Sequence, residues 1–396
     1  MQGLTNSPRD GFTVAQVTAL IQSPDLAMEA GLELLDNTDT TIGDLTPYLK
    51  ADSGTITRDC NALIHGTCNF TLSTALTWGH DRVRPYVTLS SNSLGLSGCR
   101  FNLGIYLVTS PTRKLGDTDV VTDEDAGEYD VTGYDKLYYL TQPIGDSLLI
   151  GQGAGVLLQV TNLIAAGTGG DTKVNLDTTA SAALVGSDVV YPLSDSSPTT
   201  YLDVINDLLK SINYMPLWVD ADGYFTSGPN QDPTTLTPEW IDVVQDTLHN
   251  IVVDEREVTQ DTFSVPNYWI YIANGQDTEP VEGAGQFTFI DNSNSPTGYG
   301  TRGYYVKKIA SVDAVDQATL VALAQADITA DLNTPESWSL PCGPLPQSGH
   351  FDCVLYNDTD IDGGATSRKC LVQSWTFAMN GDNMDRTMNT VLVISN

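Results

Sequence analysis

Between Thr67 and Thr77 the sequence alternates strictly. Cys68, Phe70, Leu72, Thr74 and Leu76 fall on one side, and Thr67, Asn69, Thr71, Ser73, Ala75 and Thr77 on the other. Successive side chains of a strand point to opposite faces of a sheet, so this period predicts a half-buried β-strand. The same period holds from about Thr55 to residue 140. Tyr86–Leu89, Leu103–Val108, Val120–Thr122 and Tyr129–Tyr134 are strand candidates there. Pro111, Gly116 and the acidic run Thr122–Glu128 separate them as turns. The region therefore predicts a mostly antiparallel β domain.

Elsewhere the period changes. Val14–Ile21 and Ala27–Leu35 carry short helical patterns, which predicts an N-terminal arm or small subdomain over 1–50. Val156, Leu157, Val160, Leu163 and Ile164 follow helical spacing, as do Leu202, Ile205, Leu208, Leu209 and Ile212, with Thr199 or Thr200 as cap. Met215–Val219 and Tyr224–Thr226 flank Asp220-Ala221-Asp222-Gly223, and an Asp-Gly between apolar runs signals a hairpin. The last third predicts strands at Tyr268–Ala273, Tyr304–Ala310, Phe351–Tyr356, Leu371–Met379 and Met388–Ile394. Leu371, Gln373, Trp375, Phe377 and Met379 should share one face, and a helix over Asp316–Leu332 should put Leu320, Leu323, Ala324 and Ile328 on one side. The expected fold class is α+β and β-rich: two tube-like antiparallel β-barrel domains, 51–145 and 256–396, bracketing an α+β insert over 146–255. No repeat of 20–50 residues is visible, which disfavours a solenoid or propeller.

The surface such a chain can present is set by its charge. Fifty Asp and Glu face eighteen Lys and Arg, a net charge of -32. Forty of the acids are Asp, and only eight of the bases are Lys. The acids are spread along the whole chain. A surface of this kind repels phosphate and excludes a sequence-reading nucleic-acid binder. High ionic strength would screen its self-repulsion. An Asp-rich, Lys-poor composition resembles that of proteins from halophilic archaea and their viruses. No stretch approaches 18 consecutive apolar residues, so no membrane span is expected. The first ten residues lack a basic region followed by an apolar core, so no secretory leader is expected.

A search for chemistry nominates no catalytic, cofactor-binding or metal residue. His65, His80, His249 and His350 form no close pair of the metal-binding type. Gly151-Gln152-Gly153-Ala154-Gly155 lacks the third glycine of a dinucleotide fingerprint, and Gly167–Lys173 lacks phosphate-loop spacing, so both are expected to be turns. Asp358, Asp360 and Asp362, followed by Gly363, match the first half of a calcium loop. The twelfth position is Lys369, where a bidentate Glu is needed, and strands flank the segment, so a solvated turn is expected. With 50 acids, any carboxylate pair can be nominated for glycoside hydrolysis, and the nomination carries no information. Cys60, Cys68, Cys99, Cys342, Cys353 and Cys370 include no Cys-x-x-Cys pair and are expected to be buried small apolar residues.

Several segments in series carry a family likeness. Thr77–Tyr86 (TWGHDRVRPY) precedes Phe101–Arg113 (FNLGIYLVTSPTR) and a strand through Tyr129–Asp135 (YDVTGYD). Later come Tyr201–Leu209 (YLDVINDLL), Asn213–Trp218 (NYMPLW), the Asp220–Phe225 hairpin and Val265–Ile270 (VPNYWI). This order, over roughly residues 55–395, resembles tail hub (baseplate hub, minor tail) proteins of viruses with long non-contractile tails. The resemblance implies a virion structural protein at the distal end of the tail tube. It implies a homotrimeric ring in which two tube-like β domains per chain match a sixfold tube. Its partners would be tube and distal tail proteins above and a tail tip or central fibre below. DNA would pass the lumen without specific binding, and an Asp-rich wall would leave it sliding. Two other classes stay open: a secreted or cell-surface β-domain adhesin of a halophile, slightly favoured by the triplets Asn69-Phe70-Thr71 and Asn357-Asp358-Thr359, and a glycan-cleaving tail enzyme.

Overall fold

Thr13 opens the first helix with a reciprocal cap: its hydroxyl accepts from the Gln16 amide, and the Gln16 side chain accepts from the Thr13 amide. The computed structural model describes residues 11–114, 127–194, 198–243, 250–251, 256–260, 262–274, 285–313, 317–332, 336–358, 365–380 and 384–395. The elements in chain order are α1 (Val14–Ile21), β1 (Leu26–Leu35), β2 (Thr41–Asp44), β3 (Thr55–Asp59), β4 (Gly66–Leu72), β5 (Arg82–Ser91), β6 (Leu96–Asn102), β7 (Tyr106–Lys114) and β8 (Glu128–Asp135). There follow α2 (Leu137–Leu140), β9 (Leu148–Ile150), α3 (Val156–Thr168), β10 (Val174–Leu176), β11 (Val189–Tyr191), α4 (Tyr201–Ser211), β12 (Trp218–Val219), β13 (Phe225–Ser227), β14 (Trp240–Val243) and β15 (Asn250–Ile251). The last are β16 (Glu257–Thr259), β17 (Tyr268–Asn274), β18 (Gln286–Ile290), α5 (Tyr299–Arg302), β19 (Lys307–Asp313), α6 (Gln317–Leu332), β20 (Ser337–Cys342), β21 (Cys353–Asn357), β22 (Thr366–Ala378) and β23 (Met384–Ser395).

Two compact units result: residues 1–256 with 339–396, and residues 257–338. The sequence expectation divides the chain otherwise, at 50, 145 and 255. The reason lies in the first unit's sheet, whose order is β15-β14-β21-β22-β3-β4-β8-β7-β5-β1-β2. Strand β3 pairs antiparallel with β22, from Thr55 opposite Ala378 to Asp59 opposite Ser374. The early and late β regions therefore share one sheet, and the pairings among the described residues close neither into a barrel. Long-range pairing of this kind leaves no mark on local periodicity.

Three local expectations change for identifiable reasons. Residues 26–35 form strand, not helix: β1 pairs with β5 over ten positions, Leu26 opposite Ser91 to Leu35 opposite Arg82. Ala, Met, Glu and Leu favour helix intrinsically, and the sheet overrides them. Pro111 sits inside β7, not in a turn. It falls where the register with β8 shifts between Thr109 and Thr112, a bulge where no amide is required of it. In β22 the register with β23 shifts between Val372 and Ser374. Cys370 and Val372 are buried before the shift and Trp375, Phe377 and Met379 after it, while Leu371 and Gln373 are half-buried. One extra residue flips the alternation. The strand expected at Val120–Thr122 lies outside the described residues.

The middle region is α+β, as its periods suggest. Thr200 and Asp203 cap α4 reciprocally. Gly169 ends α3 with φ of 75°, the left-handed conformation that favours glycine. Helices α3 and α4 bury Val160, Ile164, Ile205 and Leu209 together with Leu217, Val219 and Phe225 from the hairpin. In that hairpin Asp220 Oδ1 accepts from the Asp222 and Tyr224 amides, and β12 pairs with β13. The second unit is a three-stranded sheet, β18-β17-β19, with α6 on one face. Trp269, Tyr271, Leu320, Ala324 and Ile328 form its core, whereas Leu323 is 43 % exposed and lies off the expected face.

Candidate functional site

Five of the first unit's scarce cations, Arg58, Arg82, Lys136, Lys369 and Arg386, are buried. Lys136 follows β8 and is fully buried. Its ammonium bonds to Asp39 Oδ2 at 2.9 Å and the Gly223 carbonyl at 2.9 Å, and pairs with Asp171. Arg82 on β5 reaches Asp39 Oδ1 at 2.5 Å, and Lys173 reaches Asp39 Oδ2 at 3.2 Å. Burial works against ionisation of Asp39, but Lys136 and Arg82 overcome it and hold the carboxyl below its usual range. The cluster ties the β1–β2 turn, β5 and β8 to the α3–β10 loop and the β12–β13 hairpin. A second pair, Arg256 on Asp358, is bidentate at 2.5 and 2.9 Å, and Tyr356 donates to Asp358 at 2.8 Å. Lys369 donates to the carbonyls of Thr234 and Leu236, each at 2.7 Å.

A cavity of 210 Å³ opens where β3, the β12–β13 hairpin, the segment 347–352 and β22 meet. Arg58, Trp218, Asp220, Ser348, His350 and Trp375 line it. The alternation of β3 sends Ile56 and Arg58 inward together, so a guanidinium sits in the interior at 4 % exposure. Arg58 donates to the Val219 carbonyl at 2.9 Å and makes no ion pair with any described carboxylate. His350 stacks on Trp218 with ring centres 4.8 Å apart, and packs on His65 at 4.8 Å. Trp375 Nε1 donates to the Gly349 carbonyl at 2.9 Å, and the Gly349 amide donates to Asp352 at 2.7 Å. Phe351 holds φ at 49°, a left-handed conformation strained for a bulky residue. The Nδ1 atoms of His65 and His350, and both polar side-chain atoms of Gln347, are buried without hydrogen-bond partners among the described residues.

The electrostatics of the cavity follow from burial beside this cation. Burial pushes His65 down to about 4 and His350 down to about 2, and Arg58 adds to both. Burial raises Asp135 to about 6, against the pull of Arg58 and two backbone amides. Burial also raises Asp220 above the usual carboxylate range.

The residues weighed from sequence are dispersed. His65 and His350 come together, His80 is exposed beside Asp81, and His249 lies outside the described residues. Asp358 belongs to the Arg256 pair, while Asp360 and Asp362 lie outside the described residues. In the Gly151–Gly155 turn, Gln152 donates its amide to Asp188 and Gly153 donates to Val185. Gly167–Lys173 is a helix C-terminus, the wrong end for a phosphate. All six cysteines are buried, and no disulfide joins any two of them. Among the described residues no group of three or more His, Cys, Asp or Glu is placed to hold a metal ion, and no helix is long and apolar enough to cross a membrane. Sequence reasoning missed Arg58. The available signal was a cation at an inward position of the strand 55–59.

The sequence matches no protein-family model and no curated protein. Solved structures do match. A tail protein from Neisseria meningitidis MC58 superposes with a TM-score of 0.60 at 13 % identity, covering 91 % of this chain and 96 % of that one. The prophage MuSo2 43 kDa tail protein from Shewanella oneidensis gives 0.55 at 13 % identity, covering 91 % and 98 %. A chain of the Francisella PdpA–VgrG complex gives 0.55 at 9 % identity, covering 94 % of this chain and 54 % of that one. At these identities the likeness is one of fold: this chain has the fold of phage tail proteins almost end to end.

Proposed function

We propose that the chain is a structural component of a virus tail, and within it the hub that joins the distal end of the tail tube to the tip or fibre. The observation that carries this is the fold likeness to two tail proteins, which spans nearly the full length of each. A likeness confined to one region would fit a shared module on an adhesin or enzyme. In this reading three chains form a closed ring, each offering an early and a late β region to a sixfold tube. Such a ring uses heterologous contacts that close on themselves.

The distribution of charge supports a DNA-passing duct. Arg58, Arg82, Lys136, Lys369 and Arg386 are buried, and Arg84 and Arg100 are occupied by Glu33. In this reading the wall facing the DNA is acidic, which disfavours phosphate contacts that would stall passage. The same surface suits a halophilic host. No catalytic step belongs to this reading.

Immunogold labelling of purified particles, with analytical ultracentrifugation of the isolated protein, tests it. Label at the distal tail and a trimer are expected. Label absent from particles would refute the tail role. Six copies in one ring, or a lumen lined with Lys and Arg in a density map, would refute the trimeric hub.

A further inference from the structure

We propose that the cavity over Arg58 is a binding site for a carboxylate group. The guanidinium is 4 % exposed and lines the cavity, and its one hydrogen bond among the described residues runs to the Val219 carbonyl. A buried cation without a contact anion is costly, so a site that holds one is completed by an anion. Asp135 and Asp220, two carboxylates that feel the field of Arg58, are engaged elsewhere. Asp135 accepts from the Gly66 amide at 2.6 Å and the Leu137 amide at 3.0 Å. Asp220 Oδ1 accepts from the Asp222 and Tyr224 amides, each at 2.9 Å. Neither forms an ion pair with Arg58.

The class of anion follows from shape and charge. The planar guanidinium presents a fork of N–H groups that matches the two oxygens of a carboxylate. At 210 Å³ the cavity takes a carboxylate on a short organic stem. The indole of Trp218, the ring of His350 and Trp375 give that stem apolar walls. Asp220 on the wall repels a dianion more strongly than a monoanion, which disfavours phosphate. The strained Phe351, with the Gln347 side chain and His350 Nδ1 partnerless among the described residues, marks the adjoining segment as one held in place for a site. The carboxylate has two sources: a free small acid, or an acidic side chain of a partner protein.

Sodium acetate and the peptide acetyl-Gly-Asp-Gly-amide are titrated into the full chain by calorimetry, against sodium chloride and sodium phosphate at matched ionic strength. Perturbation of the Trp218 indole N–H in NMR spectra locates the binding. Saturable acetate binding at the Trp218 indole, tighter than chloride or phosphate, is expected. Acetate that binds no better than chloride, or phosphate that binds more tightly, overturns the proposal. Peptide binding tighter than acetate supports it with a protein side chain as source, and acetate alone supports it with a free acid. Arg58→Met is expected to weaken acetate at least tenfold, and unchanged affinity in a folded variant overturns the proposal. Asp220→Asn keeps the Oδ1 acceptor and removes the like charge on the wall. It is expected to tighten acetate severalfold, and no tightening overturns the proposal even where Arg58→Met fails to fold.

Discussion

Replacing Lys136 by Met removes one charge from the interior and leaves its partners in place. Lys136 is fully buried, and the side chains of Asp39 and Asp171 are 1 % and 10 % exposed. After the change, Asp39 keeps Arg82 at 2.5 Å and Lys173 at 3.2 Å. Asp171 loses its ammonium partner, and the Gly223 carbonyl loses its donor. Breaking a buried pair by removing one partner costs about 3–5 kcal/mol, because the remaining charge is left without compensation. The Met stem still packs toward Phe225, which lay 5.1 Å from the ammonium, so no large void adds to this. Lys173→Met is the internal control. That side chain is 28 % exposed, and a pair reaching solvent contributes about 1 kcal/mol or less. Urea unfolding followed by tryptophan fluorescence at fixed pH and ionic strength gives both values from the midpoints and a common slope. Lys136→Met is expected to cost several times more than Lys173→Met, and Asp171→Asn added to Lys136→Met should recover part of the loss. Equal costs for the two lysines would refute the argument that burial sets the strength of the cluster.

Acidification should destabilise the first unit well above the ordinary carboxylate range. The folded values of His65 and His350, about 4 and about 2, lie below the unfolded value near 6.5. The unfolded chain therefore binds their protons first, and stability falls as pH drops. Asp135, raised to about 6, binds its proton first in the folded state and offsets one histidine. Between pH 6 and 4 these three groups together contribute a loss of about 1.4 kcal/mol per pH unit, and a urea midpoint that is flat over this range would contradict it. Gly133→Ala should cost about 1–3 kcal/mol, since a Cβ there would lie 2.6 Å from Cys68 Sγ and 3.2 Å from the Leu107 carbonyl. Gly186→Ala meets nothing within 4 Å, so equal thermal melts for the two variants would sink this account. The fold or assembly should fail at low ionic strength, where the Debye length grows to about 30 Å at 0.01 M salt. Circular dichroism unchanged from molar salt to that level would remove the halophilic reading.

What the sequence revealed was whatever local periodicity encodes. The strands β4, β5 and β8, the helices α3 and α4, the Thr200 cap and the Asp220–Gly223 hairpin all have repeating or turn signals within ten or so residues. What it hid was non-local. The Leu26–Leu35 segment carries apolar residues compatible with both periods, and only its partner β5 decides between them. The face of β22 was misplaced because a bulge adds one residue without any mark in composition. The cavity was not legible as a site because Arg58, Trp218, His350 and Trp375 are scattered over more than 300 positions. Their meeting depends on sheet pairing that periodicity does not specify.

That pairing also has a consequence in time. Thr57 on β3 lies beside Thr376 on β22, 319 residues later. At a synthesis rate of about 5–20 residues per second, β3 waits roughly 15–60 s for its partner to leave the ribosome. Meanwhile β4 through β8 can pair among themselves, and the helical middle region can assemble around its own core. The nascent sheet therefore carries an open edge at β3 for most of translation. An open edge is a template for another chain. The inward Arg58 and the terminal Asp59 are the charges on that edge that discourage such pairing. Chains released before residue 366 should accordingly keep that edge open, with these two charges as its guard against edge-paired oligomers.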